Sequence, residues 1–385
     1  MEKLWTRPFT LSILSTGSVF VGMYLLIPAL PPWAAKLGGS NTTVGLVVGI
    51  YSISALISRI FSGRAMDRHG RRPFLLLGLV IFTACVAGYS LTTSLSMLFA
   101  VRVLHGIAWG WITTALGGFV ADLAPEERRG EAVGFWGIAP PAAMAAGPLV
   151  GGMLLASGGF EAVFLTGAVF GALALALALP IREPRGLVPR QGDLGFFSWG
   201  LLPATVLFLS SLAYGAILAF VPVELADRPE RAGQFFTVYA IALVVSRPIA
   251  GKLADRLGRS RVIHPGLVMA AAGVALLGLG PSGNLLWLAA ILYAFGVSGS
   301  FLGLMAWTVD LAPHGSRNRA MAGFFASYDL AIAFGAFLFG PVYDRWGFAT
   351  MGLAAAALIV ASQLLLWIRQ RGSESGDRPS LPASS

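Results

Sequence analysis

Residues 63–73 read Gly-Arg-Ala-Met-Asp-Arg-His-Gly-Arg-Arg-Pro, a basic turn with one acid set between two apolar runs. The pattern returns at 251–261 as Gly-Lys-Leu-Ala-Asp-Arg-Leu-Gly-Arg-Ser-Arg. Gly63 and Gly251, Asp67 and Asp255, Arg68 and Arg256, Gly70 and Gly258, and Arg71 and Arg259 each lie 188 residues apart. The same offset carries Tyr51 onto Tyr239, Ser58 onto Ser246 and Arg59 onto Arg247. It also carries Asp122-Leu123-Ala124-Pro125 onto Asp310-Leu311-Ala312-Pro313, and Arg129 onto Arg317. One shift that needs no gap marks the two halves as copies of one unit.

The 385 residues are 56% hydrophobic and 12% charged. Soluble domains carry about 25% charged residues, so water is not the main solvent of this chain. Apolar runs of the roughly 20 residues needed to span a bilayer recur throughout. The spacing predicts an all-α membrane protein with twelve transmembrane helices. Six lie near 9–32, 43–64, 74–93, 95–121, 131–156 and 161–181, and six near 196–222, 232–251, 263–281, 284–309, 320–343 and 347–368. The domains are then 1–181, a linker 182–195, a second bundle 196–371, and a Ser-, Pro- and Gly-rich tail 372–385 read as disordered. The opening run is too long for a signal peptide and has no small-residue cleavage pattern. Cys85, the single cysteine, sits inside a span, so no intramolecular disulfide forms.

The net charge of +9 falls in alternate loops: 20 Lys and Arg on one side, against Lys36, Arg228, Arg231 and Arg345 on the other. Such asymmetry sets orientation in the membrane. It predicts cytoplasmic termini in a multi-pass inner (plasma) membrane protein, and it makes the basic charge a topology signal rather than a nucleic-acid footprint.

Gly63–Arg72 resembles the loop signature of the major facilitator superfamily, Gly-x-x-x-Asp-Arg-x-Gly-Arg-Arg, which occurs here twice at equivalent positions. The resemblance covers the chain except its tail and implies two six-helix halves that transport a solute by alternating access. Glycine suits Gly63 and Gly70, where backbone meets backbone or takes positive φ. Asp67 stands four residues before Arg71, a spacing that pairs them if the turn is helical. In the family, the matching residues and an acid ending helix 4, here Asp122, form a cytoplasmic latch. The second set is Gly251, Asp255, Arg256, Gly258, Arg259 and Asp310.

Arg102 opens Arg-Val-Leu-His-Gly, which resembles a second family signature. It lies 20 residues before Asp122, about 30 Å along a helix. At that depth an arginine is costly unless it faces the bundle interior or an aqueous cavity. His105 follows one turn later. In helix 5, Gly147-Pro148-Leu149-Val150-Gly151-Gly152 resembles the Gly-Pro-x-x-Gly-Gly motif of the drug/proton antiporter branch. Its small residues also permit close helix packing in any bundle.

Asp329, in helix 11, is 12 residues from Arg317 and 15 from Asp344, about 18 and 22 Å from the two ends. It is the candidate proton-coupling group, with Glu224 at the end of helix 7 next. Tyr24, Tyr51, Trp109, Tyr214, Tyr239, Trp307 and Tyr328 complete the candidate cavity. Its sparse charge suits a neutral, amphiphilic or weakly cationic solute.

The leading expectation is proton-coupled export of a small organic solute by a monomer in the lipid bilayer, with protons as coupling partner. The alternative is an uptake symporter for a sugar or organic acid; an intramembrane enzyme or a non-transporting sensor stands further off. No His-Glu-x-x-His, Gly-x-Ser-x-Gly or phosphate-binding Gly-x-x-x-x-Gly-Lys-Ser/Thr pattern appears. Neither a metal nor a cofactor is therefore expected, and ATP is not the energy source within this chain.

Overall fold

The computed structural model describes residues 4–123, 125, 128–182, 200–280, 283–312 and 317–374. Nearly all of the linker and of the tail lies outside this set. The described chain forms α1 (Arg7–Leu25), α2 (Leu30–Lys36), α3 (Asn41–His69), α4 (Arg72–Gly88), α5 (Leu95–Leu123) and α6 (Arg129–Ala178). Then come α7 (Leu201–Glu224), α8 (Pro229–Leu257), α9 (Ser260–Leu279), α10 (Gly283–Leu311) and α11 (Arg317–Glu374). Among the described residues there are no strands.

These helices are apolar on every face, because one side meets lipid and the other meets protein. Leu279 and Val169, for example, are about two-thirds exposed. Without water, each backbone group must be satisfied inside its own helix. Among the described residues, ten segments are long and apolar enough to cross a membrane, so the chain is a multi-pass membrane protein.

Two of the ten, Phe135–Ala178 and Gly323–Gln370, run 44 and 48 residues. At about 1.5 Å per residue each is about twice the length of a bilayer crossing. Each bends at one glycine with positive φ, Gly159 (φ 71°) in α6 and Gly347 (φ 79°) in α11. These two glycines are again 188 residues apart. The sequence puts separate spans at 131–156 and 161–181; in the structure one glycine turns the chain, and hydrogen bonding continues on both sides. The first predicted span, 9–32, also divides, with α1 ending at Leu25 and α2 restarting beside Pro31 and Pro32.

Contacts divide the chain into two compact units, Met1–Gln191 with Leu225–Thr237, and Gly192–Glu224 with Val238–Ser385. In the first unit α1 packs chiefly on α6, and α4 on α5 and α6. In the second, α7 packs on α11, and α9 on α10 and α11. Close approaches recur at the same offset. A Cβ at Gly78 would lie 3.2 Å from the Ala108 carbonyl oxygen, and one at Gly266 would lie 2.9 Å from that of Gly296. Across α1 and α6, the Ser15 and Ser18 hydroxyls donate to the carbonyls of Ala174 and Phe170, at 2.9 and 2.7 Å. Such bonds and small residues supply helix adhesion that lipid-like side chains cannot.

Candidate functional site

The repeated basic turn is built by a helix stop. Gly70 (φ 84°) and Gly258 (φ 90°) end α3 and α8 in a conformation that side-chain-bearing residues rarely adopt. Arg71 is thereby set outside α3, on a path to Asp122 at the end of α5, with which it forms an ion pair. The guanidinium crosses α5 over Gly118, where a Cβ would stand 2.6 Å from Arg71 Cζ. In the second unit Arg259 Nε donates to Asp310 Oδ2 at 3.3 Å. Both pairs are partly solvated, at 20–32% side-chain exposure, so solvent screens them.

Two expectations need adjustment here. Gly63 and Gly251 have nothing within 4 Å of a built Cβ and no positive φ, because both lie inside straight helix; only Gly70 and Gly258 need to be glycine. The helical spacing of Asp67 and Arg71 is interrupted at Gly70, and the side chains of Asp67 and Asp255 lie outside the described set. Arg68 and Arg256 are exposed.

Arg72 was not singled out by the sequence. Its Nε and Nη2 donate to the carbonyls of Ile181 and Leu179 at 2.9 and 3.0 Å, tying the start of α4 to the end of α6. Helix ends leave such carbonyls without intrahelical partners. Below the turn, Arg128 donates from Nε and Nη2 to Glu131 at 2.8 and 2.9 Å on the surface. That bond holds the Glu131 carboxyl below its usual range and the Arg128 guanidinium above its own.

Arg102 and His105 lie inside the packing of the first unit, 3% and 0% exposed. Arg102 Nε donates to the Val47 carbonyl of α3 at 3.0 Å, and its guanidinium sits 4.3 Å from the centroid of the Tyr51 ring. His105 Nδ1 is 2.6 Å from the Tyr89 hydroxyl. Arg102 Nη1 and His105 Nε2 are buried without a hydrogen-bond partner. Tyr24 is half-buried beside Phe20, and the buried Trp109 stands edge-on to Phe20 at 4.8 Å.

The Gly-Pro-x-x-Gly-Gly face of α6 is a contact surface on two sides. Toward α1, a Cβ at Gly147 would be 2.6 Å from Tyr24 Cβ, and one at Gly151 would be 3.1 Å from the Leu25 carbonyl carbon. Toward the first turns of α8, a Cβ at Gly152 would be 2.5 Å from the Pro229 oxygen. Reciprocally, Gly233 of α8 lies against Pro148, and a Cβ there would be 3.2 Å from Leu149 Cα. Thr237 Oγ1 donates to the Ala145 carbonyl at 2.7 Å.

In the second unit Tyr214, Tyr239, Tyr293 and Tyr328 gather from four helices. Tyr214 stacks on the other three at 5.8–6.5 Å between centroids, and Tyr239 on Tyr293 at 5.5 Å. A small cavity opens among Ser210, Ser211, Tyr214, Tyr293, Ser300 and Tyr328. Tyr293 was missed because one tyrosine in an apolar run carries no signal of its own. Asp329, half-buried, follows Tyr328 on α11, and Trp307 is buried on α10. Glu224 is exposed and accepts a hydrogen bond from the Tyr343 hydroxyl. Among the described residues no group of three His, Cys, Asp or Glu side chains could hold a metal ion.

The family model described as Major Facilitator Superfamily matches residues 12–226 and 204–383. The chain is 27% identical over 293 residues to multidrug resistance protein 2 of Bacillus subtilis, covering 70% of this chain and 73% of that protein. It is 25% identical over 393 residues to the staphylopine export protein of Staphylococcus aureus, covering 96% and 98%. Its fold matches the crystal structure of a bacterial homologue of the human lysosomal transporter Spinster. The TM-score is 0.81 at 16% identity, over 100% of both chains. The signature turn, found twice with its Arg–Asp pair, and the match across nearly the whole length place the chain in the major facilitator superfamily.

Proposed function

We propose that the protein is a secondary active transporter that exports a small organic solute in exchange for protons. Counting α6 and α11 as two crossings each gives twelve, in two six-helix halves with cytoplasmic termini in the inner membrane. The observation that carries this reading is the duplicated Arg71–Asp122 and Arg259–Asp310 pair. An ion pair that is partly solvated is strong enough to bias one conformation and weak enough to be broken in each cycle. Export is favoured over uptake by the relatives named for drug resistance and staphylopine export, and by the close-packed Gly147–Gly152 face.

Asp329 is the proposed proton carrier, as a carboxyl within a membrane helix beside the tyrosine cluster, with Glu224 as the second candidate. Proton and solute must each bias the same two states for exchange to be coupled. Inverted vesicles supplied from outside with a panel of dyes, sugars and organic acids, with and without a proton gradient, test the reading. Gradient-dependent accumulation is expected for some member of the panel. Asp329→Asn should abolish it while substrate counterflow persists. Driven flux at the wild-type rate in that variant would move the role to Glu224, and accumulation indifferent to the gradient would remove proton coupling altogether.

A further inference from the structure

The first unit buries a cation, and among its described residues no carboxylate bonds to it. Arg102 is held by the Val47 carbonyl and by the face of Tyr51. Nη1 is left over. The Tyr89 hydroxyl, with one proton to give, points it at His105 Nδ1, 2.6 Å away, in the tautomer we assign. The histidine ring proton then sits on Nε2, the nitrogen that is buried and unpartnered. Two N–H donors one helical turn apart, one of them carrying full positive charge, thus lack an acceptor. The remaining walls against His105 are the Phe82 and Tyr51 rings, at 4.9 and 5.1 Å between centroids. Rings offer nothing that accepts a strong hydrogen bond, and a buried charge without a partner is among the costliest arrangements a protein can hold.

The duplicated fold does not itself demand these donors. At the 188-residue offset, Ala290, Leu277 and Tyr293 stand where Arg102, Tyr89 and His105 stand in the first copy. Around the shared pivot, Tyr51 or Tyr239, one copy has become a chain of donors and the other a stack of rings.

We propose that Arg102 Nη1 and His105 Nε2 form a site for one singly charged anion, a carboxylate group or a halide ion, entered by displacement of Tyr51. Tyr51 covers the guanidinium, and its hydroxyl is held by the Met23 thioether at 3.3 Å, a weak acceptor. A carboxylate would take one donor on each oxygen, whereas a halide would take both at one point. The site goes beyond the export reading, because anion binding at Arg102 requires neither a proton gradient nor a particular direction of transport.

The full-length protein in detergent is titrated with sodium acetate and, separately, with sodium chloride, at constant ionic strength made up with sodium sulfate. Melting temperature and tryptophan fluorescence are followed, since Trp109 lies one turn beyond His105. A saturable rise in melting temperature with a matching fluorescence change is expected in at least one arm. Acetate alone identifies a carboxylate site suited to a solute's own acid group, and chloride alone an inorganic anion site. Arg102→Gln should abolish the response and His105→Phe should weaken it about tenfold. If Arg102→Gln does not fold, His105→Phe carries the comparison. No saturable response to either salt, or the same response in the folded variants, overturns the proposal.

Discussion

Gly63 and Gly70 stand seven residues apart in one motif, yet their substitution should have opposite consequences. Gly70 has φ 84° and Gly63 is helical with open space around it. Gly70→Ala should destabilise by about 1–3 kcal/mol, the cost of holding a residue with a Cβ at φ 84° and ψ 161°, a region essentially reserved for glycine. Gly63→Ala should be neutral or stabilising by about 0.5–1 kcal/mol. Melting in detergent separates the two, and equal losses would refute the helix-stop account. The Arg128–Glu131 pair adds a pH dependence of known sign. Its bond lowers the Glu131 carboxyl, so the contribution is complete above the unfolded value of about 4.3 and is lost as pH falls through the lower folded value. Glu131→Gln should therefore leave stability unchanged at the acid end and cost a little at neutral pH. Added salt should erase that difference, because both side chains are exposed.

Between elements, backbone carbonyls do much of the holding, and this is where sequence reading falls short. The 188-residue offset was legible because identical side chains mark it from Tyr51 to Arg129. The Arg72 bonds to Leu179 and Ile181, and the Thr237 bond to Ala145, end on main-chain oxygens that every residue possesses. No residue type announces them. Arg72→Ala should free the end of α6, seen as faster hydrogen exchange over the residues before Ile181, while Arg68→Ala, at an exposed position, should leave exchange unchanged. The Gly152 contact was legible as a motif, but its partner in α8 was not. Gly152→Leu puts a branched side chain where a Cβ already meets the Pro229 oxygen at 2.5 Å. Transport should fall at least tenfold with the protein still in the membrane, and wild-type transport would show that α8 yields there.

For the whole molecule, the duplicated loop pairs predict which conformation weakens when one is broken. A neutral Asp122→Asn or Asp310→Asn keeps a hydrogen bond from the charged arginine but loses the opposite charge and with it the ion pair. On the transport cycle proposed above, weaker pairs should depopulate the outward-open state, and engineered cysteines that this state exposes should react more slowly with a water-soluble maleimide. Unchanged labelling would leave the pairs as fittings of the loop alone. Gly159 and Gly347, each turning a long helix within a single residue, have a different consequence. Endoproteases must thread an extended stretch of substrate and antibodies need a protruding one, and a turn of one glycine offers neither. These two glycine bends therefore give probes nothing to grip, and reporter tags belong instead at the exposed residues 93 and 94, in the connection before α5.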